Sequence, residues 1–397
     1  MSLVKPVGSD LTSLRIMLLN RDHQISIELY PILHVCSNLK YLCLQTRKSV
    51  TYQPPSSTNQ YPLLELTIRA TRLEGQLFEL LLPQCPNLQM LSTHEFPLEA
   101  IGVLDAYCTQ LRHFSVVDNH QLENADSSCN PSSTGLYTMR YTKENTTIRY
   151  LTPLFTKSKD TLKSLMLSLR GLDDGVNQLA QHSFHHLTKL QLNMGQHHHS
   201  EIALMIQQCP ALQDLTLLFG GAAVTDELFS SLTTLSQLRS LMLSYISSSS
   251  AALERLFSHL HPSANLQCIT LKDCNGISDN VLRTLAKITS LRKIVMHYLH
   301  EPTEAGMMAF IQSLHTLSHL KVVVLDAMSQ MTDAMLIQLA SIDGLRELDL
   351  NCINGITSAG VRNLADLAVT LRNVNIFGCQ AVDSEAKQYL KEKLSIH

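Results

Sequence analysis

Leu266-Gln267-Cys268-Ile269-Thr270-Leu271 is answered one unit later by Leu291-Arg292-Lys293-Ile294-Val295-Met296. The shared phrase is leucine, an apolar residue at the fourth slot and another at the sixth. It recurs with its leading leucine at Leu11, Leu39, Leu63, Leu88, Leu111, Leu136, Leu162, Leu187, Leu212, Leu238, Leu266, Leu291, Leu320, Leu345 and Leu371. The hydrophobic content of 45% would scatter many accidental matches through the chain. Chance does not supply a common phase of about 26 residues, and periods of this length mark repeat architectures. Thr93 is the one polar residue at a sixth slot, and the unit of Leu136, Met139 and Tyr141 is the weakest.

Slots four and six lie two apart, so they share one face of a short strand, while slots three, five and seven face the other way. Behind the strands runs a helical spacing: Val176, Leu179, Ala180; Leu282, Leu285, Ala286; Leu336, Leu339, Ala340; Val361, Leu364, Ala365. Alanine there lets a helix approach a strand closely. A single strand–helix unit cannot bury its own apolar edge, whereas stacked units share one core. The expected fold is therefore α/β: a leucine-rich-repeat solenoid, a right-handed curved βα horseshoe with a parallel inner sheet of about fifteen strands and with helices and loops outside.

Length alone would suggest two or three globular domains, but the unbroken repeat points to one solenoid over 1–397. Residues 1–160 read as less regular repeats with loops at 45–62 and 120–135, residues 161–382 as regular repeats, and residues 383–397 as a C-terminal capping helix. Lys+Arg 31 against Asp+Glu 34 gives a net charge of −3, so charge makes no case for nucleic acid or a membrane surface. No apolar run approaches a membrane span and residues 1–10 carry no signal-like segment. Asn145-Thr146-Thr147 is a glycosylation sequon that would matter only on export. Cytoplasm, nucleus or both are expected, with a monomeric chain.

Four of the ten cysteines, Cys36, Cys85, Cys108 and Cys209, stand three residues before a leading leucine, and Cys274 and Cys379 occupy ninth slots. Ladder positions of this kind suit buried reduced thiols, and no Cys-x-x-Cys pair suggests a metal. His182, His185 and His186 are expected to close one helix and His197, His198 and His199 to open the next; consecutive histidines on a helix diverge, so a solvated edge is expected rather than a metal site. The slot-two row Lys40, Arg112, Lys163, Arg239, Arg292, Lys321, Arg346 and Arg372 reads as a solvated edge too. No nucleophile elbow, phosphate loop or zinc-protease motif is present. No enzyme activity and no cofactor are expected.

The segment Leu266 to Asp279, with Cys274, Ile277 and Asp279, resembles the cysteine-containing leucine-rich repeat of F-box/LRR proteins. Leu371 to Cys379, followed by Val382 and Asp383, is similar, and Leu345 to Leu350 with Ile356 and Thr357 fits with the cysteine displaced to Cys352. Cys85-Pro86-Asn87-Leu88 and Cys209-Pro210-Ala211-Leu212 resemble helix-to-strand junctions of fungal members. The resemblance implies the substrate-recognition part of an SCF ubiquitin-ligase receptor. In such a receptor the repeats hold a protein target, while a Skp-type adaptor and cullin join through an F-box. No F-box motif is found in the sequence, so adaptor and cullin are expected only if one is supplied upstream. The alternatives are an F-box-less repeat scaffold or regulator, and an inhibitor or GTPase regulator of the ribonuclease-inhibitor kind.

The outward slots give the candidate partner face, expected to be concave. Tyr245, Lys272, Lys293, His297 and Tyr298 form a basic-aromatic cluster, Asp326, Glu347 and Asp349 an acidic one, and Phe219 and Phe377 are expected to add aromatic surface. Aromatic and charged anchors are typical of protein recognition. About 800 Å² per partner suffices for a standard interface, which five adjacent repeats would provide.

Overall fold

The structure is a computed structural model, and it describes residues 8–18, 26–55, 59–117, 135–143, 148–169, 175–194, 198–221, 223–260 and 265–394. The 120–135 segment, save Gly135, the sequon at Asn145 and His197 lie outside the described residues. The repeats contribute strands β1 (Ser13–Leu18), β2 (Tyr41–Thr46), β3 (Glu65–Arg69), β4 (Met90–Thr93), β5 (His113–Val116), β6 (Thr138–Tyr141), β7 (Ser164–Leu169), β8 (Lys189–Met194), β9 (Asp214–Phe219), β10 (Ser240–Ser244), β11 (Cys268–Lys272), β12 (Lys293–His297), β13 (Val322–Asp326), β14 (Glu347–Asn351) and β15 (Asn373–Asn375). They form one fifteen-stranded sheet in chain order. Parallel strands in sequence order, with the described helices in the connections between them, define an α/β leucine-rich-repeat solenoid.

By its internal contacts the chain divides into two compact units, Met1–Leu190 and Gln191–His397. In the first, β1 to β7 pair in parallel with every fourth slot opposite the next: Leu14 with Leu42, Leu42 with Leu66, Leu66 with Leu91, Leu91 with Phe114, Phe114 with Met139, and Met139 with Leu165. The weakest repeat thus stands in register. Fourth- and sixth-slot side chains from Leu42 to Leu167 are buried, and buried Thr93 donates its hydroxyl to the Glu95 carbonyl at 2.7 Å. Helices here are short, five to seven residues, and aromatic rings fill the interior instead. Phe78, Phe96, Phe114 and Tyr141 run as a chain with successive centroids 4.6, 5.2 and 6.3 Å apart.

A small second sheet, Ile27–Glu28, Ser49–Thr51 and Arg72–Leu73, lies beyond the first three repeat strands in sequence. Ser49–Thr51 falls inside the 45–62 segment. After it, buried Tyr52 and Tyr61 share a hydroxyl hydrogen bond of 3.3 Å, and Tyr52 donates to Gln84 at 2.8 Å.

In the second unit β9 to β15 pair in parallel, with Leu215, Leu241, Ile269, Ile294, Val323, Leu348 and Val374 in one row. The register is fixed at each strand's start: a slot-two carbonyl accepts the amides of slots two and three of the next repeat. The Gln267 carbonyl takes Arg292 and Lys293 at 2.8 and 3.0 Å, and the Arg292 carbonyl takes Lys321 and Val322 at 2.8 and 3.1 Å. All leading leucines from Leu39 to Leu371 are at most 5% exposed; terminal Leu11 is half-buried.

Cys36, Cys85, Cys108 and Cys209 each accept the amide of the next leading leucine through their carbonyl, at 3.0–3.2 Å. The ninth-slot thiols donate one repeat back, Cys274 to the Leu243 carbonyl at 3.3 Å and Cys379 to the Leu350 carbonyl at 2.9 Å. These thiols are buried, and burial pushes Cys108, Cys209 and Cys274 up to about 12. The helix Ser384–Leu394 follows the last repeat, burying Ala386 and Leu390.

Candidate functional site

Strands β12, β13 and β14 carry outward side chains in three rows fixed by pairing: Lys293–Val322–Glu347, Val295–Val324–Asp349 and His297–Asp326–Asn351. Lys293 and Glu347 are exposed, Asp349, Val322 and Val324 half-buried, and Val295 buried beside them. The His297 Nδ1–H donates to Asp326 Oδ2 at 3.0 Å. Lys293, Glu347 and Asp349 make no ion pair within 4.0 Å among the described residues, so their charges face outward uncompensated at contact range. Asp349 has its carboxyl raised above the ordinary range by burial first, then by the charges of Glu347 and Asp326, with Lys293 opposing.

The edge of this face depends on one backbone feature. The eighth-slot residues Tyr245, Asp273, Tyr298, Ala327 and Cys352 have φ between 51° and 56°, and Gly378, also at slot eight, has φ 74°. Five of these amides donate to the seventh-slot carbonyl of the next repeat, as Tyr245 does to Lys272 and Tyr298 to Asp326, at 2.8 and 3.1 Å. A left-handed residue reverses the alternation of a strand. An eighth slot would otherwise point inward with slots four and six; here Tyr245 and Tyr298 are turned out, 42% and 45% exposed. The Lys272 ammonium lies 5.7 Å from the Tyr245 ring centroid, within reach of a cation–π contact.

Phe219 corrects the expectation. It sits at slot eight of its repeat but continues β9 in extended form and is 2% exposed, its ring 6.0 Å from that of His199. Gly220 and Gly221 follow, and the left-handed turn falls on Gly221, φ 82°, two residues later than in the following repeats. Phe219 is core and adds nothing to the face. Phe377, at a seventh slot, is 75% exposed. The face thus gathers Tyr245, Lys272, Lys293, His297, Tyr298, Asp326, Glu347, Asp349 and Phe377 on β10 to β15 and the turns that follow them. It also contains Val322 and Val324, which were not among the expected residues although slot counting places them there.

The slot-two row is not uniform. Arg112 is 7% exposed and donates Nη1 to the carbonyls of Leu111 and Gly135 at 3.4 and 3.3 Å, with its guanidinium 6.0 Å from the Tyr137 ring. That arginine is a structural tie between repeats. Of the histidines, His199 is buried at the start of the helix His199–Gln207, and His182 has its pKa lowered by burial and by Lys159. Among the described residues no three His, Cys, Asp or Glu side chains converge as metal ligands, and no helix is long and apolar enough to cross a membrane.

No family model and no curated protein matches the chain. Among solved structures it is similar to a chain of the Rad7 and Elc1 complex in yeast, with 17% identity, 97% of this chain and 84% of that chain covered, and a TM-score of 0.44. It is also similar to a chain of the TLR13–ssRNA13 complex, at 15% identity and TM-score 0.48, covering 89% of this chain but only 48% of that one. An internalin, inlF from Listeria monocytogenes, gives 14% identity, 98% and 87% coverage and a TM-score of 0.35. The fold assignment stands on the sheet and its register.

Proposed function

We propose that this chain is a non-catalytic protein-interaction module that holds a protein partner on the strand face of β10 to β15, in the cytoplasm, the nucleus or both. The observation that carries the reading is the row Lys293–Val322–Glu347 with Asp349 beside it: charges without contact partners around half-buried valines, on a scaffold of paired strands. Apolar centres ringed by charge are typical of protein recognition. The finer reading is the substrate-recognition part of an SCF-type ubiquitin-ligase receptor. It is supported by the resemblance of the segments around Cys274 and Cys379 to F-box/LRR repeats.

The test is quantitative affinity capture with the full chain and with Lys293→Glu/Asp349→Lys, both checked for folding by circular dichroism. The reading predicts that a defined set of proteins is lost with the double variant and retained by a variant on the helical side, Arg255→Glu; an unchanged set would contradict it. The ligase reading further predicts that captured proteins become ubiquitinated when an F-box is fused upstream and Skp-type adaptor and cullin are added, with no adaptor binding by the chain as it stands. Face-dependent partners without ubiquitination would favour the F-box-less scaffold.

A further inference from the structure

Lys293 and Asp349 lie two strand spacings apart across the sheet and two residues apart along it, a diagonal of about 12 Å at ordinary strand dimensions. Residues four apart in an extended segment present side chains on the same side about 13 Å apart, and the residue midway projects with them. A segment laid on that diagonal would place its middle side chain over Val322 and Val324, which are half-buried and the only apolar outward residues of β13. One end of the diagonal is cationic, with Lys293 exposed; the other is anionic, with Glu347 and Asp349 on one strand. Neither end is neutralised at contact range by the protein itself. The carboxyl of Asp349 is raised first by its partial burial and then by the like charges of Glu347 and Asp326, and a cation placed on it would favour the charged form.

We propose that the face of β12 to β14 receives an extended protein segment carrying an acidic, an apolar and a basic side chain at alternate positions, the acid on Lys293, the apolar group on Val322 and Val324, and the base on Glu347 and Asp349. This deepens the interaction reading above and rests on it. Charge complementarity selects the occupant: a wholly acidic segment would meet Glu347 and Asp349, and a wholly basic one would meet Lys293. A segment without the central apolar group leaves the valines wet.

The full chain is titrated by fluorescence anisotropy against four labelled peptides with the cores Glu-Thr-Leu-Thr-Arg, Glu-Thr-Leu-Thr-Glu, Arg-Thr-Leu-Thr-Arg and Glu-Thr-Ser-Thr-Arg. The first is expected to bind tighter than each of the others, by about fivefold for an exposed charge pair. Lys293→Glu should move the preference to the doubly basic peptide and Glu347→Lys should shift it toward the doubly acidic one; both residues are exposed, so neither change threatens the fold. Equal binding of the four peptides, none included, or a preference unmoved in both variants overturns the proposal. The capture experiment separates the two failures. If partners are lost with Lys293→Glu/Asp349→Lys while the peptides show no preference, the face binds proteins but not this kind of segment. If capture is also unchanged, the interaction reading itself has failed.

Discussion

Partial burial makes the charge of Asp349 costly, and Glu347 on its own strand and Asp326 on β13 add like charge to the same field. Its folded-state pKa is therefore above the unfolded one. The folded chain binds more protons than the unfolded chain between those values, so stability falls as pH rises through that window, and the deficit is complete above it. Asp349→Asn should raise the melting temperature at pH 7, with the gain fading at a pH below the ordinary carboxylate range; a loss at pH 7, or a gain independent of pH, would contradict a carboxylate disfavoured by burial and by its acidic neighbours. At the eighth slot a different constraint acts. Gly378 has φ 74°, and a Cβ there would lie 2.8 Å from Cys352 Sγ. Gly378→Ala should cost about 1–3 kcal/mol from the left-handed conformation and the close contact, read from urea denaturation midpoints.

Helix starts show how one repeat is tied to the next. The Asp279 carboxylate accepts both the amide and the hydroxyl of Thr303, at 2.8 and 2.7 Å, and the Thr303 hydroxyl in turn accepts the Gly306 amide at 2.9 Å. Asp333, Thr357 and Gly360 repeat this, with 2.7, 2.6 and 3.4 Å. The threonine is a helix N-cap, and the aspartate of the preceding helix orients it. Any Cβ at Gly306 or Gly360 would collide with the aspartate held there, so the glycine three residues after the cap is part of the device. Gly306→Ala and Gly360→Ala should each destabilise by about 1–3 kcal/mol through loss of charged hydrogen bonds. Gly102→Ala, in a helix with nothing within 4 Å of the new Cβ, should stabilise by up to about 1 kcal/mol. Thermal melts of the three variants check the opposite signs. The Asp279 and Thr357 positions were visible in the repeat phrase, but a carboxylate reaching into the next repeat leaves no mark within a single period.

Along the whole chain, the strands were legible because backbone pairing enforces one slot opposite its equivalent, so an insertion is tolerated only outside the strand. Even Leu136, Met139 and Tyr141 follow the rule. The outward face was legible to the same extent and for the same reason: Lys293, His297, Asp326, Glu347 and Asp349 fall where slot counting puts them. Phe219 did not, because the side to which an eighth slot turns depends on a single φ angle rather than on hydrophobic period, and the Gly220-Gly221 pair delays that turn. Val322 and Val324 read as core by residue type and as surface only by slot. The cysteines carry this register as built-in probes. Cys352, at a left-handed eighth slot, is exposed; Cys43 and Cys268, at outward slots five and three, are partly so; Cys36, Cys85, Cys108, Cys209, Cys274 and Cys379 are buried, with burial raising their pKa. Alkylation of the native protein with N-ethylmaleimide, followed residue by residue by mass spectrometry, reads the inward and outward slots directly. Cys352 should label first, Cys43 and Cys268 more slowly, and the six buried thiols only on unfolding; rapid native-state labelling of Cys274 or Cys209, or protection of Cys352 and Cys268, would show that the strands do not stand in this register.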